Sequence, residues 1–429
     1  PMPAFRIQDG NGSNYIVAGH EPFSIHNTLD QKVFQFSDNL NISKGNHNYT
    51  LGFSFEKFKF ANSFNLGAYG FGDSRGYVGA FFGDFADMAA FNTAISNGLL
   101  ADALANAQNV FDTNNANNSW SLAETHVGQM AFYMQDEWNV NDEFKLSFGI
   151  RFDKPLFFDS SDKAQDVIDS PGSFYDPSIP YTDPSTGQTV YLNSTKMPDN
   201  QFLVSPRIGF NWDVNGDKKA QVRGGSGIFT GRFPFVWLGN QIANPNVWYY
   251  EIVDPNFKFP SVWRTSLGLD YKLENGVILT TDLSYTKDIN GAQVQNWGLK
   301  TPSGTLLGVD NRAIYTASDK GNNAYVFTNT DKGRTLNATF KAQKTFKNGL
   351  YVSLAYNYLD SRDVNSIEAE ITGDAFDANP VVGDANADVL GYSKYGDKHR
   401  IIGVISKSWK YGADDKWNTS IASFFEYAQ

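Results

Sequence analysis

Five histidines, His20, His26, His47, His126 and His399, are the first side chains to test for chemistry, since imidazole serves both as a general base and as a metal ligand. None stands in a His-x-x-x-His or Glu-x-x-His spacing. The sequence contains no Cys, which excludes thiol nucleophiles, disulfides and Cys-ligated zinc. Asp384, Asn386 and Asp388 place three oxygen ligands at alternate positions, as the opening of a calcium loop does. Counting from Asp384, the twelfth position is Tyr395 and not Glu, so a solvated acidic loop competes with calcium as the reading. Asp213, Asn215 and Asp217 repeat the pattern around an Asn-Gly turn, where Asx and Gly residues have a conformational job. The Arg-Gly-Gly-Ser-Gly string at 223–227 lacks the Gly-Lys-Ser/Thr of a phosphate loop and reads as glycine relieving crowding in a strand. No enzyme is expected, and calcium at 384–388 is the single cofactor considered.

The other charged candidates are Lys145, Arg151, Arg207, Arg223, Asp270, Asp282 and Lys341. Each occupies a polar position within an alternating apolar/polar run. Alternation is the signature of a strand, whose successive side chains point to opposite faces. Phe144, Leu146, Phe148, Ile150 and Phe152 alternate with Lys145, Ser147, Gly149 and Arg151. Paired runs recur around six short turns, near residues 45, 140, 217, 275, 348 and 413, three of them carrying Asn-Gly. That dipeptide is favoured in tight hairpins because both positions tolerate positive φ. Twelve strands are therefore expected.

Between the hairpins lie long connections at about 56–126, 154–201, 230–261, 287–332 and 359–398. A regular succession of short turns at one end and long segments at the other is the pattern of a transmembrane antiparallel β-barrel, with short periplasmic turns and long extracellular loops. No run approaches the length of apolar sequence that a transmembrane helix needs. Within 84–111, Phe85, Met88, Ile95, Leu99 and Leu104 fall roughly on one stripe and predict a short helix. In a barrel the seven charged residues must face the interior, because a charge toward lipid costs about 2–4 kcal/mol at mid-membrane. They are expected to line the lumen, in part against a passing ligand. Trp237, Trp248, Tyr249, Tyr250, Trp263 and Trp297 cluster near the loop bases. There, aromatic rings anchor at the lipid interface or stack on flat ligands.

The 429 residues carry a formal charge of −11, which disfavours nucleic-acid binding. The acidity is localised: 154–201 holds 7 Asp against 3 Lys, and 359–398 holds 9 Asp/Glu against 3 Lys/Arg.

The string QMAFYMQDEWNVNDEFKLSFGIRFDKP resembles the barrel of TonB-dependent outer-membrane receptors. FLVSPRIGFNWDVNGDKKAQVRGGSGIF resembles the next hairpin of their Oar-like subgroup, common in Bacteroidetes, and the later strings FKFPSVWRTSLGLDYKL and KGRTLNATFKAQKTFKNGLYVSLAYNYL also fit. The resemblance implies a 22-stranded barrel with an N-terminal plug, energised by TonB–ExbB–ExbD, in lipopolysaccharide-bearing outer membrane. Surface lipoproteins or other outer-membrane subunits are expected as further partners. On this reading 1–429 is one partial barrel domain, without the plug and the closing strands. A scaffolding barrel, a passive porin and a soluble binding sandwich are the alternatives.

Overall fold

The computed structural model describes residues 4–19, 28–63, 81–117, 122–169, 175–243, 245–246, 249–316, 322–369 and 371–429. Twelve long strands follow one another in strict sequence order along a single path of hydrogen-bonded neighbours. They are β1 (Thr28–Lys44), β2 (His47–Ser63), β3 (Leu122–Asn139), β4 (Phe144–Leu156), β5 (Leu203–Asp213) and β6 (Ala220–Thr230). The remainder are β7 (Ser261–Lys272), β8 (Ile278–Asn296), β9 (Arg334–Thr345), β10 (Leu350–Asp363), β11 (His399–Tyr411) and β12 (Trp417–Ala428). All six expected hairpins form at the expected turns. At the turn between β9 and β10, Gly349 has φ 83°, and a Cβ on it would collide with the Ser408 carbonyl. Only glycine meets both demands.

The chain divides into two compact units, residues 1–33 with 58–126 and residues 34–57 with 127–429. In the first, Ala4–Gln8 pairs antiparallel with Asn14–Ala18 and parallel with Phe81–Phe85. The single helix expected in 84–111 is two, α1 (Met88–Ser96) and α2 (Leu99–Asn117). Asp87 caps α1 by accepting from the Ala90 N–H at 2.8 Å. Gly98, at φ 81°, breaks the helical path between them.

In the second unit the ladder register sorts side chains onto two faces. Asn139, Lys145, Asn211, Arg223, Gly268, Asp282, Thr339, Asn357 and Arg400 form one transverse row of the polar face. Phe148, Leu283 and Leu354 lie on the other face, and they are 43%, 43% and 58% exposed. The apolar face is thus uncovered.

The packed core of this unit sits elsewhere, in the long connections. Its fully buried side chains include Phe233, Leu238, Ile242, Tyr250, Ile252, Phe257, Phe259 and Phe327. These connections, whose composition suggested polar loops, contain α3 (Ser160–Ile168), α4 (Val236–Ala243), α5 (Thr372–Asp377) and short strands. β8 joins the two regions. Its lower part pairs with β7 and β9, while Gly291–Asn296 continues into an antiparallel ladder with the strand Asn323–Thr330. That strand pairs in turn, parallel, with Tyr249–Val253. We call this packed region the cap.

Candidate functional site: the polar sheet face and its cap

The register places all seven charged candidates on one face. Each has an identical strand parity with the row through Arg223. Arg223 is the centre of a cluster: its guanidinium donates to the Asp270 carboxylate and, at 2.5 Å, to Asp282 Oδ1. Thr280 donates to the other Asp270 oxygen at 2.6 Å. Gly268 makes the room, since a Cβ there would come within 2.6 Å of Asp282 Oδ1 and 2.8 Å of the Arg223 guanidinium carbon. Arg151 pairs with Asp153 at 2.9 Å and lies 5.2 Å over the Tyr133 ring. Arg207 sits 5.6 Å over Phe229, and Lys145 lies 3.8 Å from Glu137. Lys341 stands opposite Thr280 in the ladder. A further pair that the sequence did not suggest, Arg232 with Glu56, adjoins this group.

On the apolar face, where parity also places Asp360 opposite Leu336, Asp136 interrupts the pattern. Asp136 is buried and accepts from His47 Nδ1 at 2.8 Å, and the His47 ring stacks against Tyr49 and Trp138 at 5.5 and 5.3 Å. His20 and His26 lie outside the described residues.

The six loop aromatics divide. Trp263 is on the apolar face, half-exposed, and donates from Nε1 to Ser226 Oγ at 2.9 Å. Tyr250 and Trp297 depart from the expected surface role, being 0% and 6% exposed. Tyr250 is packed edge-on against Tyr175 and Tyr181, and Trp297 donates to Gln295 Oε1 at 3.1 Å. Trp237 packs on Phe233 and Phe327, with ring centres at 4.9 and 4.4 Å. These three rings build the cap by burying apolar area against its short sheet, Tyr250 and Trp297 beside Ala324 and Val326 and Trp237 on Phe327. Tyr249 contributes backbone to the strand Tyr249–Val253, and Trp248 lies outside the described residues.

Asp384, Asn386 and Asp388 are engaged separately. Asp384 Oδ1 accepts from the Asn386 N–H at 2.9 Å. Asn386 Oδ1 accepts from the Asn296 N–H at 2.7 Å, and its Nδ2 donates to the Asn296 carbonyl at 2.8 Å. Asp388 Oδ2 accepts from Thr330 at 3.0 Å. The alternation thus clips the loop to upper β8. Among the described residues no three His, Asp or Glu side chains are grouped to hold a metal ion.

Two features of the cap carried no motif. A cavity of about 580 Å³ is walled by Asp183, Asp254, Gln293, Gln295, Trp297 and Asp388, with others. Burial raises the Asp254 pKa, and the neighbouring Asp183 charge adds to this. For Asp183 burial acts upward too, but hydrogen bonds from Ser185 and Thr186 prevail and lower it. The second is Glu251, buried within the apolar Tyr249–Val253 strand, where it accepts from Asn240 Nδ2 at 2.7 Å and from the Thr372 N–H at 3.3 Å. A lone acid in the string Tyr-Tyr-Glu-Ile-Val was the legible signal for it.

A sheet with one bare apolar face and one charged face fits lipid on the first side and water on the second, since lipid offers no partner to free backbone groups and strands must satisfy one another. These features define an integral β-barrel of the bacterial outer membrane. Residues 2–247 match the outer membrane beta barrel domain family, and the chain belongs to that family. No curated protein matches it by sequence. Among solved structures it is similar to the FrpB iron transporter from Neisseria meningitidis, at 11% identity over 94% of this chain and 44% of that one, with a TM-score of 0.48. It is also similar to the outer membrane transporter YddB from Escherichia coli, at 10% identity over 93% and 47%, with a TM-score of 0.44. The alcaligin receptor FauA from Bordetella pertussis gives 11% identity over 93% and 47%, with a TM-score of 0.41. The chain spans under half the length of each of these.

Membership predicts the result of charging the bare face. Leu283 lies midway between Leu279 and Lys287 on the apolar side of β8. Leu283→Lys is expected to destabilise the folded barrel by about 2–4 kcal/mol, read from urea unfolding in lipid vesicles. Unchanged unfolding would show that this face does not meet hydrocarbon.

Proposed function

We propose that the chain forms the wall and surface cap of an outer-membrane receptor, Oar-like and of Bacteroidetes type. The cap recognises a ligand outside the cell. The full-length protein then imports that ligand, or aids export, with energy from TonB–ExbB–ExbD. The observation that carries this reading is the cap itself: a packed aromatic core with a polar cavity, built on a wall strand that continues into it. A passive pore has no use for such a structure over its mouth. The sequence string at residues 129–155 supports the receptor family, that at 202–229 supports the subgroup, and the charged row around Arg223 suits contact with a plug. No covalent step belongs to this function.

The test is conductance of the full-length protein in planar bilayers. A receptor closed by a plug passes no large steady current until the plug is removed. A large steady current in the intact protein would overturn the reading in favour of a porin.

A further inference from the structure

On the apolar face, the ladder sets three cations side by side. Lys287 of β8 stands directly opposite Arg334 of β9, which stands directly opposite Arg362 of β10. An aromatic residue closes the row at each end, Trp263 opposite Lys287 and Tyr392 opposite Arg362. The row shares the parity of Leu283 and Leu354, so it faces outward from the wall and not into the lumen. It lies at the loop ends of the strands, just before β8 enters the cap at Gly291.

Like charges directly opposite one another weaken a sheet, and neighbouring strands are only about 4.8 Å apart. The acids at hand do not cancel this repulsion. Arg362 donates from Nε to Asp360 Oδ1 at 3.0 Å and from Nη2 to the Tyr392 hydroxyl at 3.2 Å. Lys287 gives its Nζ to the Asp331 carbonyl at 3.1 Å, while the Asp331 carboxylate lies 3.7 Å from Lys332. Asp288 and Asp363, next in the chain to Lys287 and Arg362, fall on the opposite face. Arg334 is exposed, and among the described residues no carboxylate is ion-paired to it. Elsewhere on this face cations stand singly, as Lys344 does over the Phe346 ring at 4.7 Å. The row is thus a local conflict that an external anion would resolve.

Depth narrows the choice of anion. Lys287 is four residues from Leu283 on β8, about 13 Å along a strand. That brings it to the border of a lipid-facing band about 25 Å tall, where aromatic rings mark the headgroup level. Trp263 and Tyr392, 39% and 61% exposed, stand at that level. An anion held there arrives on acyl chains, for which Leu283 and Leu336 below are bare. A phosphate has several oxygens to share between two cations, and a guanidinium fork matches its geometry.

We propose that the row of Lys287, Arg334 and Arg362 binds the phosphate of a phosphorylated lipid in the outer leaflet, with its acyl chains against Leu283 and Leu336. Arg334 and Lys287 hold the phosphate between them, and Arg362, shared with Asp360, flanks it. The site belongs to the outside of the wall, and it stands or falls independently of what the cap recognises.

The test is native mass spectrometry of the full-length protein in neutral detergent, with diphosphoryl lipid A as the probe and dephosphorylated lipid A and inorganic phosphate as its competitors. The phosphorylated lipid is expected to bind more tightly than either, and its binding to weaken as salt is raised. Arg334→Gln and Lys287→Gln are each expected to lower its affinity by roughly tenfold. Lys344→Gln, on the same face at the turn end, should leave it unchanged. Without lipid, neither variant of the row should melt earlier than the wild type, since each removes a repulsion. Several outcomes overturn the site: no binding of the phosphorylated lipid, equal binding of the dephosphorylated one, inorganic phosphate bound as tightly as the lipid, or an equal loss in Lys344→Gln. Should the variants of the row misfold, salt-independent binding of the lipid to the wild-type protein refutes the proposal equally well.

Discussion

Phe233→Ala is expected to loosen the cap by about 3–5 kcal/mol, the cost of deleting a fully buried aromatic ring. Phe233 lies just before α4, and its ring centre stands 4.7 Å from Phe257, 4.9 Å from Trp237, 5.3 Å from Phe327 and 6.2 Å from Phe259. It therefore joins the 230–261 connection to the strand Asn323–Thr330. Its loss leaves a void that rings cannot refill without moving their own backbone. Hydrogen exchange should rise in Tyr249–Val253 and Asn323–Thr330, while the β4–β6 ladder keeps its protection. Equal protection in the cap of both proteins would show that this ring does not hold it.

The second large effect concerns acidity. Burial is the main cause that pushes the Glu251 pKa from 4.5 up to about 7, and Asp374 pushes the same way, against the hydrogen bonds from Thr372 and Asn240. Between pH 4.5 and about 7 the folded protein holds a proton that the unfolded chain has released. Stability from this group is thus complete below that window and falls as pH rises through it. Glu251→Gln keeps an acceptor for Asn240 and Thr372 but cannot ionise. It should raise stability by on the order of 3 kcal/mol at pH 8 and change little at pH 4. Melting curves of the two proteins at pH 4, 6 and 8 check this. Parallel pH profiles would mean that Glu251 is not the titrating group.

The wall was legible in the sequence and the cap was not, for a physical reason. A two-faced strand must alternate, so Phe144 to Phe152 and Leu350 to Tyr358 announce themselves, and tight turns must use residues such as Asn348 and Gly349. The seven charged residues could be assigned to one face by parity alone. Cap residues obey no period. Phe233, Phe257 and Phe259 come from irregular segments that meet only in three dimensions, so their strings looked like polar loop with scattered rings. The same blindness placed Tyr250 and Trp297 at a surface, when both are interior. At 384–388 the alternating oxygens left an ion and a solvated loop open, and no spacing announced that Asn386 spends its amide on the backbone of Asn296. The cavity residues Asp254, Gln293 and Asp388 lie far apart in sequence, with no spacing to join them.

One consequence follows from the unbroken run of β8 through Asn296. A lid on a flexible tether can swing, but this cap shares a single strand with the wall, a beam that carries one register shift at Asp288–Asn290. Opening it requires the Asn323–Thr330 strand to unzip from Gly291–Asn296, six consecutive register pairs, while the beam stays upright. On the receptor function proposed above, admitting a ligand past the cap would call for peeling of that seam and not for a swing about a hinge.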